Sequence, residues 1–369
     1  MTNMTHANSM WDAWVMTAPG AVLEHRPRPA ETPGPGEATV EVAGCGVCHT
    51  DLSFLHYGVR TRSALPLVLG HEISGYVREV GPGVDTALVG QPVVVPAVLP
   101  CGECDLCRAG RRSICRKQVM PGNDRHGGFA SHVVLPARFF CPVPDAVLQR
   151  HELWELSVVA DAVSTPFQAV KRSGLAAGDT AVCVGVGGIG VYGVQVAAAA
   201  GAKVVALDID DAKLTQARAA GAHATLNVKD VAVPDVRKQV KRLADELGAS
   251  QFLWKIFETS GTRAGQELAY ALIGHGATLS VVGYATGKIE ICLSNLMAFD
   301  AVAQGNWGAD PLVYPELLQW ISDGRIAVRP FVERHALADI NDVFDRAHHG
   351  KLVKRAVLVP GQDVASPTV

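Results

Sequence analysis

Short apolar runs broken by glycine and proline fill the first part of the chain. Trp11 to His25 reads as an opening strand, and the proline-rich Arg26–Gly36 as a loop. Ala38–Ala43, Ser74–Val80 (closed by Gly81-Pro82-Gly83), Pro92–Ala97 and Phe129–Leu135 read as further strands bounded by turn residues. This stretch predicts a β-rich barrel or sandwich. The pattern changes near His151, where Leu153, Leu156, Val159 and Ala160 recur at helical spacing and Thr165–Arg172 continues the run. Strands are then expected at Thr180–Val184, Lys203–Leu207, Ala224–Val228, Gln251–Glu258 and Ala277–Val282. Helices are expected between them at Gly188–Ala200, Asp211–Ala220, Pro234–Leu247 and Arg263–Ile273. Such alternation predicts an α/β unit with a doubly wound parallel sheet. Beyond Trp307, Pro311–Asp323 and Ala338–His348 look amphipathic, and Arg355–Val359 reads as a last strand. The tail is expected to rejoin the first part, giving one domain of residues 1–160 and 310–369 with a second, 161–309, inserted.

With 369 residues, 48% hydrophobic and 19% charged, the chain can bury the cores of two domains. A net charge of −3 makes no electrostatic case for nucleic acid or an anionic membrane as partner. Residues 1–10 are polar and no long uninterrupted apolar run occurs, so a secretory signal and a membrane span are not expected. The expectation is a cytoplasmic protein. Nine cysteines occur, at 45, 48, 101, 104, 107, 115, 141, 183 and 292; the crowding of four of them into residues 101–115 suggests metal binding rather than disulfides.

Cys101, Cys104, Cys107 and Cys115 follow C-x2-C-x2-C-x7-C, a spacing that closes four thiolates around one tetrahedral Zn²⁺. An iron–sulfur cluster and unligated thiols are the alternatives. Arg108, Arg111, Arg112, Arg116 and Lys117 flank the motif and would offset its negative charge. Gly185-Val186-Gly187-Gly188-Ile189-Gly190 follows a strand and opens a helix, and Asp208 ends the next strand eighteen residues past Gly190. That is the context of a dinucleotide fingerprint, with the acid accepting from the ribose hydroxyls and favouring NAD over NADP; a glycine turn made only for packing is the bland reading. Cys48, His71 and Asp161 are a thiolate, an imidazole and a carboxylate. Taken singly they read as a buried thiol, a core histidine and a helix-terminal acid. Together they suit a catalytic Zn²⁺ with an open fourth position.

In this order, Gly44–Asp51, Gly70-His71-Glu72, the four-cysteine loop, Gly185–Gly190 and Asp208 resemble the zinc-containing alcohol dehydrogenases of the medium-chain dehydrogenase/reductase family, over residues ~11–360. The resemblance implies a GroES-like catalytic domain, a Rossmann domain, and one catalytic and one structural Zn²⁺. It also implies oxidation of an alcohol by hydride transfer to NAD. Cys48, His71 and Asp161 would hold the catalytic Zn²⁺, with Glu72 close by and Thr50 passing on the alcohol proton. Thr165 and Ile189 would lie against the nicotinamide, Lys213 on a ribose, and Arg355 and His49 on the pyrophosphate. Many relatives carry cysteine where Asp161 stands, and histidine where Ser53 stands; the substitutes for the end of the proton path are His56, His49, or exit through the cofactor ribose and water. Over its whole length, and especially through Phe257–Gly308, the chain further resembles dehydrogenases of cyclic hydroxyacyl-CoA thioesters, whose phosphates would call on Arg60, Arg62, Lys117 and Arg125; solvated surface charges are the alternative reading of these four. A homo-oligomer, dimer or tetramer, is implied by the same analogy.

Overall fold

The structure is a computed structural model that describes residues 10–361; residues 1–9, on which the expectation of no secretory signal rests, lie outside the described residues. The chain forms two compact units. The first comprises the described residues up to Asp161, Ala309–Ser322, and those from Val328 onward; the second comprises Ala162–Gly308 and Asp323–Ala327. Asp323–Ala327 had been expected in the tail. It joins the second unit because Gln195 Oε1 accepts from the Ala327 N–H at 2.8 Å, while Arg325 donates to the Ala199 carbonyl at 2.8 Å.

The first unit is built on a seven-stranded sheet in the order Cys141–Pro142, Pro92–Val95, Glu72–Val80, Glu37–Gly46, Arg355–Val359, Val332–Ala336, with His132–Pro136 also paired to Glu37–Gly46. Val40, Ile73, Val77, Val93, Val95 and Leu135 point into its core, each worth roughly 1.5–3 kcal/mol on full burial. Register places the chemistry. Gly46 pairs with Glu72 and also with Val357, so the strand leading to Cys48, the strand leaving His71 and the strand bearing Arg355 meet at one end.

The single opening strand expected over Trp11–His25 is instead three short strands, Met10–Trp11, Trp14–Met16 and Glu24–His25; Pro19-Gly20, with Gly20 at φ 80°, turns the chain between the last two, which pair antiparallel. Cys48 stands at the start of a helix, His49–His56, rather than in a simple turn. The strand expected at Phe129–Leu135 begins only at His132. The helical run after His151 is a 3-10 helix, Leu153–Ala160, nearly all buried.

The second unit carries a six-stranded parallel sheet: Ala224–Asn227, Lys203–Asp208, Thr180–Val184, Lys255–Glu258, Thr278–Val281, Val302–Gly305. In chain order this is 3-2-1-4-5-6, the doubly wound arrangement whose switch point lies between the first and fourth strands. Val182, Val205, Leu207, Ile256 and Leu279 form its core. The strand expected from Gln251 starts at Lys255, since Leu253 takes φ 60° and breaks the extension. Among the described residues no helix is long and apolar enough to cross a membrane.

Candidate active site and metal centres

Cys48, His71, Glu72 and Asp161 each bring a donor atom to one place, all within 4.8 Å of one another. Cys48 Sγ lies 3.6 Å from Asp161 Oδ2, and His71 Nε2 lies 3.6 Å from the same oxygen. Donors held about 2.0–2.3 Å from a tetrahedral Zn²⁺ stand about 3.4–3.8 Å apart, so these three fit a single ion. Glu72 is otherwise engaged: Arg355 Nε donates to its Oε2 at 2.8 Å. Burial pushes the Glu72 carboxyl up, against the pull of Arg355. Thr50 Oγ1 is 3.8 Å from Cys48 Sγ, at the rim of the set.

Asp51 organises this corner, a role that its place in the Gly44–Asp51 motif did not disclose. Its Oδ2 accepts from the Cys48 N–H at 2.9 Å, closing a capping box, and its Oδ1 accepts from the Gly70 N–H at 3.2 Å. The same Oδ1 is 3.4 Å from His71 Nδ1, so a carboxylate charge stands behind the ring while Nε2 faces the other donors. The Cys-x-x-Asp spacing of a capping box was the available signal. Burial opposes a charged His71, yet Asp51, Cys48 and Asp161 raise its pKa well above the ordinary value. The cluster is thus built to surround positive charge.

The four cysteines of the loop also converge. Sγ separations are 3.5 Å for Cys115–Cys101, 3.6 Å for Cys104–Cys107, 3.7 Å for Cys104–Cys115 and 4.0 Å for Cys101–Cys107. Four sulfurs about 2.3 Å from one Zn²⁺ would be about 3.8 Å apart, whereas cluster thiolates bind different irons and stand farther apart. Backbone N–H groups aim at the sulfurs: those of Cys101 and Lys117 lie 3.4 and 3.3 Å from Cys115 Sγ. Bonds from the Glu103 and Cys104 backbone lower the Cys101 thiol to about 6, while burial raises Cys107 to about 12. The flanking cations are less committed to the cysteines than expected. Arg108 pairs with Asp105, Lys117 with Glu103 and Arg112 with Asp310.

In the second unit the glycine loop has the required shape. Gly185 is at φ 83°, and a Cβ there would meet Ser260 Cα at 2.5 Å; a Cβ on Gly190 would meet the Gly185 carbonyl at 2.0 Å. At Gly187 nothing lies within 4 Å, which leaves room for a ligand against the backbone, and the half-buried Ile189 and exposed Gly188 border that space. The helix Gly190–Ala199 has no side-chain cap at its N-terminus, the end suited to a phosphate. Asp208 ends its strand with Oδ2 accepting from the Val186 N–H at 2.8 Å and Oδ1 from the Ile209 N–H at 2.8 Å, so the carboxylate is fixed beside the loop. Lys213 sits in the first turn of helix Asp211–Ala219. Thr165 is buried in helix Ser164–Arg172, and its carbonyl accepts from Asn306 Nδ2 at 3.1 Å.

Two further expectations meet specific partners. Ser53 donates its hydroxyl to the His49 carbonyl at 2.9 Å, which ties it to its own helix. His49 opens the helix, and partial desolvation of its ring together with the Arg355 charge lowers its pKa.

Comparison with known proteins gives the family. Residues 34–145 match the alcohol dehydrogenase GroES-like domain, and residues 188–323 match the zinc-binding dehydrogenase family. The chain is 32% identical to an alcohol dehydrogenase of Geobacillus stearothermophilus over 89% of its own length and 93% of the relative's. A cobalt- and zinc-bound thermostable alcohol dehydrogenase from Pyrobaculum aerophilum superposes with a TM-score of 0.82 at 25% identity, covering 95% of this chain and 100% of the other. An acetophenone reductase from Geotrichum candidum, in complex with NAD, superposes with a TM-score of 0.83 at 26% identity, covering 96% and 98%. On the fold, the clustered donors and these likenesses, the chain belongs to the zinc-type alcohol dehydrogenases of the medium-chain dehydrogenase/reductase family, oxidoreductases acting on CH–OH donors.

Proposed function

We propose that the chain oxidises a secondary alcohol to a ketone with NAD, at a catalytic Zn²⁺ held by Cys48, His71 and Asp161. A structural Zn²⁺ is held by Cys101, Cys104, Cys107 and Cys115. The observation that carries this reading is the 3.6 Å approach of Cys48 Sγ to Asp161 Oδ2, two residues 113 positions apart brought to one tetrahedral edge. Bound there, Zn²⁺ supplies Lewis acidity that favours loss of the alcohol proton near neutral pH, and NAD accepts the hydride. Asp161, a harder donor than the cysteine of many relatives, strengthens that acidity. Thr50 relays the hydroxyl proton, accepting it as its own proton passes on to His49, His56 or water, and Asp51, 3.4 Å from His71 Nδ1, favours the tautomer that ligates through Nε2. Gly185, Gly187, Gly188 and Gly190 make room for the pyrophosphate, and Asp208 accepts from the ribose hydroxyls and repels a 2′-phosphate. Thr165 and Ile189 border the nicotinamide, Lys213 a ribose. His49 and Arg355 serve the pyrophosphate, Arg355 while paired with Glu72.

For the substrate we propose a cyclic hydroxyacyl-CoA, 6-hydroxycyclohex-1-ene-1-carbonyl-CoA of anaerobic aromatic degradation, in support of which stands the likeness through Phe257–Gly308. Within it, Asn306 and Gly308 are tied to helix Ser164–Arg172 through Gln168. Of the basic residues for a CoA tail, Arg62 pairs with Asp124, Lys117 with Glu103 and Arg125 with Glu37, while Arg60 is exposed. A simple secondary alcohol is the second reading, favoured by the acetophenone reductase among the similar structures, since reduction of acetophenone gives such an alcohol. A panel of cyclic hydroxyacyl-CoA thioesters against free secondary alcohols, ranked by kcat/KM, tests the choice; preference for the free alcohols removes the thioester. A zinc lyase or hydrolase on this fold would give no rise in reduced-nicotinamide absorbance with alcohol and NAD. We also propose a homo-oligomer, supported by the edge strand Val302–Gly305 and the exposed Leu293, Met297 and Val302 near it.

A further inference from the structure

Asn306 follows the sixth strand of the second unit, Val302–Gly305, and every hydrogen-bonding position of its side-chain amide is engaged. Nδ2 donates to the Thr165 carbonyl at 3.1 Å and to the Gly308 carbonyl at 3.1 Å. Oδ1 accepts from Gln168 Nε2 at 3.2 Å and from Arg172 Nη1 at 3.3 Å. Two donors and two lone pairs are all that such an amide has. The set also fixes which way the amide faces. Turned over, it would set its oxygen against two carbonyls and its nitrogen against two donors.

The same partners hold the backbone on either side. Arg172 Nη1 donates to the Gly305 carbonyl at 2.8 Å, and Gln168 Nε2 to the Gly308 carbonyl at 3.0 Å. The Asn306 N–H donates to the Val281 carbonyl at 2.9 Å, at the end of the fifth strand. A turn with glycine at both ends, Gly308 at φ 48°, has little stiffness of its own. These side-chain bonds supply it, and they fasten the turn to both ends of helix Ser164–Arg172. Topology tells what the turn borders. In a 3-2-1-4-5-6 sheet the dinucleotide lies across the carboxyl ends of the strands, one half on either side of the switch point. Asp208 ends the second strand and marks the adenosine half, so the nicotinamide half falls toward the fourth to sixth strands, where residues 305–308 stand.

We propose that Asn306 is a positioning residue for the nicotinamide, holding residues 305–308 and the first turn of the Thr165 helix together as one wall beside that ring. This rests on the reading of NAD as the cofactor with Thr165 at its nicotinamide. Calorimetric titration with NADH and with ADP-ribose, which has no nicotinamide, tests it on wild type, Asn306→Asp and Asn306→Ser. The first substitution keeps the size and the acceptor for Gln168 and Arg172, but turns an oxygen onto the Thr165 and Gly308 carbonyls. The second, at a half-buried position, is too short to bridge the two sides. In both variants ADP-ribose should bind within about twofold of wild type, and NADH at least about tenfold more weakly. Equal weakening of the two ligands would make Asn306 a general support of the fold and overturn the proposal, as would unchanged NADH affinity in both variants. A wild type that bound neither ligand would overturn the NAD reading itself, and the proposal with it.

Discussion

Arg355 grips Glu72 with two nitrogens, Nε to Oε2 at 2.8 Å and Nη2 to Oε1 at 2.5 Å, with both side chains buried. The pair neutralises Glu72 beside His71, so the charges left to balance a divalent ion at the site are those of the Cys48 thiolate and the Asp161 carboxylate. Arg355→Met should therefore leave an uncompensated carboxylate inside the first unit and cost about 3–5 kcal/mol. Urea unfolding followed by tryptophan fluorescence measures this. The double change Arg355→Met with Glu72→Leu should recover much of the loss, and a double variant no more stable than the single one would show that the pair is not the cause.

Asp51→Asn keeps the size of the side chain but removes the charge that faces His71 Nδ1. Loss of such an orienting carboxylate typically costs 10–100-fold in metal affinity or activity. Zinc competition with a chromophoric chelator should show one of the two ions released about that much more readily, with the cysteine-loop ion unaffected.

Cys104→Ser should act on stability before it acts on turnover. A closed structural site contributes its binding energy to folding, so the variant should contain one zinc instead of two and unfold at a lower temperature. An unchanged melting profile would argue that the cysteine loop holds no ion.

Asp208→Ser removes the carboxylate that stands beside the glycine loop. The kcat/KM ratio of NAD to NADP should fall by at least about tenfold, the equivalent of 1.4 kcal/mol. An unaltered ratio would take Asp208 out of cofactor choice.

His126 makes stability depend on pH. Its Nδ1 accepts from the Val68 N–H at 3.1 Å, and burial together with Arg28 pushes its pKa down to about 4. The unfolded chain, with an ordinary pKa of about 6.5, binds the proton first. The stabilisation is thus complete above pH 6.5 and is lost as pH falls toward 4. Urea midpoints at pH 7.5 and 4.5 should converge more for His126→Gln than for the wild type; equal slopes would remove His126 as a source.

Much of the site was legible because its signals are local. Cys101, Cys104, Cys107 and Cys115 lie within one loop, and Gly185–Gly190 with Asp208 within one βαβ unit, so spacing alone suggests their chemistry. Thr180–Val184 and Arg355–Val359 were read with the bounds the structure gives them, being apolar runs flanked by polar residues. Val302–Gly305 and Val332–Ala336 were missed: the first is a mostly exposed edge strand, and the second, VERHA, is polar at its centre. Asp51 was overlooked for a different reason. Its oxygens serve Cys48, Gly70 and His71, and contacts across that distance in sequence depend on a register that no single stretch reveals.

The central claim is that Cys48, His71 and Asp161 share a zinc ion that enables hydride transfer to NAD. The most direct measurement pairs metal analysis with absorbance of reduced nicotinamide, after NAD and a secondary alcohol or its CoA-thioester counterpart are added to wild type and Asp161→Ala. Two zinc ions and a steady rise are expected for the wild type. For the variant the expected result is one zinc, a native fold by circular dichroism, and a rate lower by at least about 100-fold. A variant that kept both its second zinc and its rate would contradict it.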